Sequence, residues 1–151
     1  MRRKDRQITD RKAIDDIIRR SHVCRLGMCD DGQPYVVPLN FGYDGHSLYF
    51  HGATEGRKID VLKRNNRVCF EFDTPEEVIP ADQACRWSTK YESVIGFGTA
   101  RIVEDLETKR QALGWIMRQH SREDWIFPEK NVNAILVIRV DIEQVTGKAQ
   151  R

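Results

Sequence analysis

His51, Gly52, Gly56, Arg57 and Lys58 fall within one short stretch, YFHGATEGRKIDVLKRNN, which runs from Tyr49 to Asn66. It reads as the end of a strand, a glycine-rich turn and a helix from Lys58 to Asn65 whose inward residues are Ile59 and Leu62. Two cations at a helix start are out of place. That end of a helix carries about half a positive charge, so each costs roughly 0.3–1 kcal/mol there. A bound phosphate reverses the sign. The N–H groups exposed at a helix start form an anion site, and Arg57 and Lys58 would surround the anion with charge-assisted hydrogen bonds. Gly52 and Gly56 free the backbone on either side of the turn, and Thr54 and Glu55 offer N-cap chemistry. A solvated basic helix end is the competing reading, because Lys63, Arg64 and Arg67 continue the run. The stretch matches no Walker or dinucleotide pattern, and on its own it leaves both readings open.

The segment YVVPLNFGY, 35–43, adds a second element of chemistry. Pro38 cannot donate to a strand ladder, which suggests an edge, a bulge or a place where another group approaches. Pairing through the Asp44-Gly45 turn is expected to set Val36 to Asn40 beside the strand that ends in His51. A proline-broken backbone next to a phosphate site suits a flat, phosphate-bearing cofactor, whose polar ring edge the unpaired carbonyl and N–H groups of the segment Val36 to Asn40 would read. Pro38 as edge protection and Asn40 as a turn-proximal polar residue are the plainer alternatives. His51 can contact such a cofactor or its substrate, transfer a proton, or only pack.

The elements that must hold these residues follow from periodicity. Asp10 caps a helix with Ile14, Ile17 and Ile18 on one face, ending near Ser21. Strands are expected at 24–29, 34–43 and 47–52, joined by the tight turns Asp30-Asp31-Gly32 and Asp44-Gly45. VCFEFD, 68–73, alternates cleanly; 74–83 reads as a loop; 91–105 is a long strand in which Gly96 and Gly98 suggest a bend or a close backbone approach. A helix over 106–120 and a closing strand over 133–148 complete the chain. Six strands and three helices, hairpins dominant, make a mainly β, α+β protein. Six twisted antiparallel strands with one buried face can close into a small barrel filled by its own side chains. A large ligand then sits outside it, at a subunit boundary.

The chain has 151 residues, read as one domain spanning 1–151, and that length builds a core without disulfides or metal. A net charge of only +2 argues against a dedicated nucleic-acid binder. No apolar run reaches the roughly 18 residues of a membrane span, and MRRKDRQITD has no hydrophobic stretch behind its charges, so a cytoplasmic location is expected. Cys24, Cys29, Cys69 and Cys85 form no C-x-x-C pair, which points away from zinc; Cys24 and Cys69 read as small buried thiols. His22, His46 and His120 are expected in solvent, and Trp115 and Trp125 in packing roles.

The order strand, VVPLNFGY, turn, LYFHGATEGRKIDVLKRNNRVCFE resembles the FMN-binding split β-barrel proteins, and within them the branch of the pyridoxamine 5′-phosphate oxidase-like superfamily that holds the Nim-type 5-nitroimidazole resistance proteins. MRRKDRQI, CRLGMCDDGQPYVVPLNFGY, the H-x-A-x-x-G-x-K core, W-x-x-K-Y-x-S-V-I-G-F-G-T-A and V-T-G-K all fit that pattern. The resemblance implies a six-stranded antiparallel split β-barrel with flanking short helices. It implies a homodimer with FMN at the subunit interface, the phosphate on Arg57 and Lys58 with His51, Gly52 and Gly56 nearby, and Val37 to Asn40 along the ring. The partner subunit is expected to close the site through Trp87, Tyr91 and Ser93, with Trp87 as a lid or a plain dimer contact. A pyridoxamine phosphate oxidase carries a C-terminal Arg/Trp/His motif that VTGKAQR does not match, so vitamin B6 synthesis is not expected. The implied activity is FMN-dependent reduction of a small organic compound, a nitroaromatic such as a 5-nitroimidazole, with NAD(P)H as electron source and His51 as the catalytic candidate. A flavin carrier or sensor without turnover is the alternative, as is a barrel holding heme or a deazaflavin.

Overall fold

Asp10 ends an extended segment, and its carboxylate accepts from the Ala13 N–H at 3.1 Å. Helix α1 (Arg11–Arg20) therefore starts at the expected cap, and Ile14, Ile17 and Ile18 are all buried. The computed structural model describes residues 3–151; Met1 and Arg2, the head of MRRKDRQI, lie outside the described residues. A short β1 (Gln7–Ile8) precedes α1. Strands β2 (Cys24–Asp30) and β3 (Gln33–Leu39) follow as a hairpin whose two turn residues, Asp31 and Gly32, both have positive φ, 49° and 82°. That conformation matches the twist of the paired strands.

The expected strand over 34–43 breaks in two. The β3 ladder stops at Leu39, and a separate β4 (Gly42–Tyr43) begins after Phe41. Val36 to Leu39 pair with β2, not with the strand leading to His51; across the Asp44-Gly45 turn only Gly42 and Tyr43 meet Tyr49 and Leu48 of β5 (Ser47–Gly52). Burial causes the break. The Phe41 side chain is fully buried, with its ring centroid 4.7 Å from that of Phe72, so the chain must turn inward where an unbroken strand would run on.

After β5 come α2 (Arg57–Arg64), β6 (Arg67–Asp73), β7 (Glu77–Ile79) and β8 (Ser88–Val103). The segment 74–83 is thus not all loop, since β7 pairs with the start of β8. Helix α3 (Leu106–His120) is capped by Asp105, which accepts from the Thr108 N–H at 2.7 Å. The short α4 (Glu129–Asn133) was not anticipated, and β9 (Leu136–Gln150) starts three residues later than the periodicity suggests.

All six long strands of the sequence reading are present, and β1, β4 and β7 bring the sheet to nine. Its order is β3-β2-β6-β8-β9-β5-β4, with β1 on β9 and β7 on β8. The path is open, ending at β3 and β4. The inner face holds Leu26, Leu48, Phe50, Phe70, Phe72 and Val140, with α1 and α2 adding their apolar faces to the same cluster. Helix α3 covers the other face of β5 and β9, packing Ala112 and Ile116 on Tyr49 and Val137. The bend expected at Gly96 and Gly98 is there. A Cβ at Gly96 would lie 2.1 Å from the Phe70 ring, and the β8–β9 register shifts between Phe97 and Gly98. Cys24 is buried as expected, and burial pushes its thiol far above the ordinary range. Cys69 instead lies half-buried on the outer face, because Val68, Phe70 and Phe72 take the inner one. Among the described residues no helix is long and apolar enough to cross a membrane.

Candidate functional site

Helix α2 begins without a side-chain cap. Its N-cap is Gly56, at φ 130° and ψ 168°, and neither Thr54 nor Glu55 takes that position. Such a φ is strained for any other residue, and a Cβ at Gly56 would meet nothing within 4 Å, so the approach to the helix start is open. Lys58 sits half-buried beside it. Its Nζ is 3.4 Å from the point a Gly52 Cβ would occupy, so Gly52 at the end of β5 leaves room for that ammonium. Among the described residues Lys58 has no carboxylate or hydrogen-bond partner, and burial lowers its pKa below the usual lysine value.

Arg57 reaches across to the sheet edge. Its guanidinium lies 4.3 Å above the centroid of the Tyr35 ring, a cation–π contact that ties the start of α2 to β3. Tyr35 was missed in the sequence because alternation assigns it to the core side of β3; it is partly buried there, and its ring carries the guanidinium.

Strand β3 ends the sheet, so one edge of its backbone is unpaired by any other strand. Val37 and Leu39 pack against the core, while Val36, Pro38 and Asn40 face outward or stay exposed. The free edge suits the expected role of Val37 to Asn40, and Pro38 sits where a missing N–H does least harm. His51 is exposed on the α3 side of β5, two residues beyond the buried Tyr49. Contacts thus link Gly52 of β5, Lys58 and Arg57 of α2 and Tyr35 of β3 around the Gly56 cap, whereas His51 projects from the opposite, α3-covered face of β5.

Trp87, Tyr91 and Ser93 lie elsewhere. The Trp87 indole is 56% exposed and donates to the Ala81 carbonyl at 2.7 Å. Lys148 Nζ lies 5.5 Å from the Tyr91 ring centroid, and Ser93 pairs with Asp73 and Lys148 inside the sheet. Among the described residues no hydrogen bond or ion pair joins the three to α2 or β3. The outer sheet face near them mixes exposed apolar side chains with an ion-pair network. Register sets Val36, Gly27, Cys69 and Phe97 in one row and Pro38, Arg25, Glu71 and Ile95 in the next. Val36 is 60% exposed, Phe97 48% and Ile95 45%. Arg25 bridges Glu71 and Asp73 on this face, and burial, with the Asp73 charge, raises the pKa of Glu71.

The sequence model of a family described as pyridoxamine 5′-phosphate oxidase matches residues 10–149. Among solved structures, a candidate 5-nitroimidazole antibiotic resistance protein from Bacteroides thetaiotaomicron is 38% identical, with a TM-score of 0.86 over 95% of this chain and 86% of that one. A flavocytochrome from Azotobacter vinelandii is 20% identical, with a TM-score of 0.85 over 100% of this chain and 72% of its own. An FAD- and heme-binding protein from Mycobacterium smegmatis is 22% identical, with a TM-score of 0.85 over 97% and 74%. At those two identities the likeness is one of fold. An uncharacterised curated relative from Rhizobium meliloti is 29% identical over 66 residues, which span 44% of this chain and 43% of the relative.

Proposed function

Since the chain belongs to the pyridoxamine 5′-phosphate oxidase family, we propose that it is an FMN-dependent oxidoreductase, a cytoplasmic homodimer that reduces a small organic compound, a nitroaromatic of the 5-nitroimidazole type, at the expense of NAD(P)H. The observation that carries this reading is Lys58, a half-buried ammonium with no anion of its own among the described residues, beside an uncapped helix start. A desolvated cation without a counter-ion is costly, and a phosphate there removes the cost.

The residues fit the group. Lys58 and Arg57 would hold the phosphate beside the open backbone at Gly56 and the space at Gly52, with the Arg57 guanidinium resting on the Tyr35 ring. Backbone groups of Val37 to Asn40 on the edge strand β3 would face the polar edge of the ring, Pro38 through its carbonyl alone. When bound, the flavin supplies the hydride and electron chemistry. His51 at the end of β5 stands exposed to hold or move a proton to the substrate. Trp87, Tyr91 and Ser93 close the site from the partner subunit, whose approach would cover Val36, Ile95 and Phe97. The 38% identity to the candidate nitroimidazole resistance protein supports the substrate class.

The test is the absorbance of the purified protein, followed by calorimetric titration of the apoprotein with FMN, FAD and riboflavin. Flavin bands are expected, with FMN bound at least a hundredfold more tightly than riboflavin. Two lost charge-assisted hydrogen bonds of about 1.5–3 kcal/mol each require that much. A Soret band, or equal affinity for FMN and riboflavin, would overturn the assignment. NAD(P)H consumption with a nitroimidazole acceptor then separates enzyme from carrier.

A further inference from the structure

Helix α3 has a second face that is partly open. Arg110, Gly114 and Arg118 follow one another at helical spacing, away from the buried Ala112 and Ile116, and Trp115 flanks them, half-buried and packed in part against the core as expected. With Trp125 and Ile126 from the segment after α3 they line a groove of about 650 Å³, within the usual range of small-molecule sites. Trp125, expected to pack, is 48% exposed, and Ile126 is 92% exposed.

Gly114 forms the floor. A glycine inside a helix is unfavourable by about 1 kcal/mol against alanine, and close packing is the common compensation. At Gly42 a Cβ would come within 2.4 Å of the Ile116 nitrogen, whereas at Gly114 it would meet nothing within 4 Å. Among the described residues nothing packs on the bare backbone at Gly114, which leaves open space above it.

The walls say what kind of ligand fits. Two indoles and an isoleucine present flat apolar surface. The Arg118 guanidinium lies 4.8 Å from the Trp115 ring centroid and has no ion pair among the described residues. Arg110 reaches Glu107 only at 3.9 Å, and its Nε donates to the Phe127 carbonyl at 3.4 Å, which pins the loop that forms the far wall. Glu107 lines the groove beside Arg110, and Glu123 and Asp124 line a smaller recess of about 90 Å³ shared with Gly114 and Arg118, so the two guanidiniums are the groove's contacts for an anion. We propose that this groove binds a planar aromatic carboxylate, stacked on the indoles over Gly114 with its carboxylate at Arg110 and Arg118.

The experiment follows the indole N–H signals of Trp87, Trp115 and Trp125 by 1H–15N NMR in the full-length protein, during titration with 1-naphthoate and with the neutral 1-naphthalenemethanol. Saturable shifts of Trp115 and Trp125 are expected, with Trp87 stationary. The alcohol should bind at least a hundredfold more weakly, the loss of a charge-assisted hydrogen bond at each arginine. Arg110→Gln should weaken naphthoate at least tenfold and leave the alcohol unchanged. Gly114→Leu should abolish both while raising the thermal midpoint, because leucine is the better helix former. Stationary Trp115 and Trp125 signals, undiminished binding in Gly114→Leu, or a fall in its thermal midpoint would overturn the site; equal affinity for acid and alcohol would overturn its ligand class.

Discussion

At the scale of the residue, Lys58 decides most. Its lowered pKa has burial as its cause, so the free protein gives up that proton below the usual lysine value. A phosphate beside it favours the charged form and raises the pKa again. Phosphate binding is therefore strongest while Lys58 is protonated in the free protein; it begins to weaken as pH passes the lowered value and goes on weakening up to the raised value of the complex. FMN affinity should show an alkaline limb that riboflavin lacks and that Lys58→Gln removes; calorimetry across the alkaline range reads it, and a limb unchanged in the variant would clear Lys58 of the role. Arg57 depends on Tyr35. Tyr35→Leu should weaken FMN roughly two- to fivefold, the worth of an exposed cation–π contact, with riboflavin unaffected, while Tyr35→Phe keeps the ring and the affinity. Arg57, Lys58 and their flanking glycines were legible in the sequence because their cost at a helix start is local. Tyr35 was not, since its partner lies across the fold.

Between elements, the informative failure is the segment 34–43. Local pattern made it one strand beside β5; in the fold it leaves β2 at Leu39 and reaches β5 only through Gly42 and Tyr43. Hydrophobic alternation does not reveal where a strand changes neighbours, and the signal that existed, Phe41-Gly42, takes its meaning from α3. Gly42 lets the α3 backbone sit directly on β4, and a Cβ there would come 2.4 Å from the Ile116 nitrogen and 2.5 Å from the Trp115 carbonyl carbon. Both are backbone atoms that cannot rotate away. Gly42→Ala should therefore cost about 3 kcal/mol, at the upper end for overpacking, and lower the thermal midpoint by on the order of 10 °C. Denaturant unfolding checks it; a loss below half that would mean that α3 slides without resistance. The cap of α1 was easier to read. Asp10 accepts from an N–H three residues on, as its sequence position implies; Asp105, read as the end of a strand, does the same for α3, and replacing either by alanine should cost about 1 kcal/mol.

For the whole molecule, the open sheet leaves two surfaces that one chain does not satisfy: the free edge of β3, and the outer face that bears Val36, Ile95 and Phe97. Phe97 stands mid-sheet, between Cys69 of β6 and Gln144 of β9, where an exposed aromatic ring gains nothing from its neighbours. Large apolar side chains left exposed on one sheet face, around the Arg25–Glu71–Asp73 ion pairs, make it the face proposed for association. A two-fold partner seated here would bury Phe97 against its own copy and bring Trp87, Tyr91 and Ser93 toward the other chain's β3 edge, making two equivalent sites. Phe97→Glu tests this with little risk to the fold, because the side chain points away from the core and is already half exposed. Burying two facing carboxylates in an apolar interface is strongly unfavourable, so sedimentation should show a monomer with an intact far-ultraviolet spectrum. FMN affinity should fall with it, at least tenfold, and riboflavin affinity should fall in parallel, since what is lost is the ring enclosure and not the phosphate site. That parallel loss distinguishes this variant from Lys58→Gln, where FMN alone suffers. A monomer that binds FMN as tightly as before would show that one chain encloses the flavin by itself, and a dimer unperturbed by the new charge would move the interface to another face.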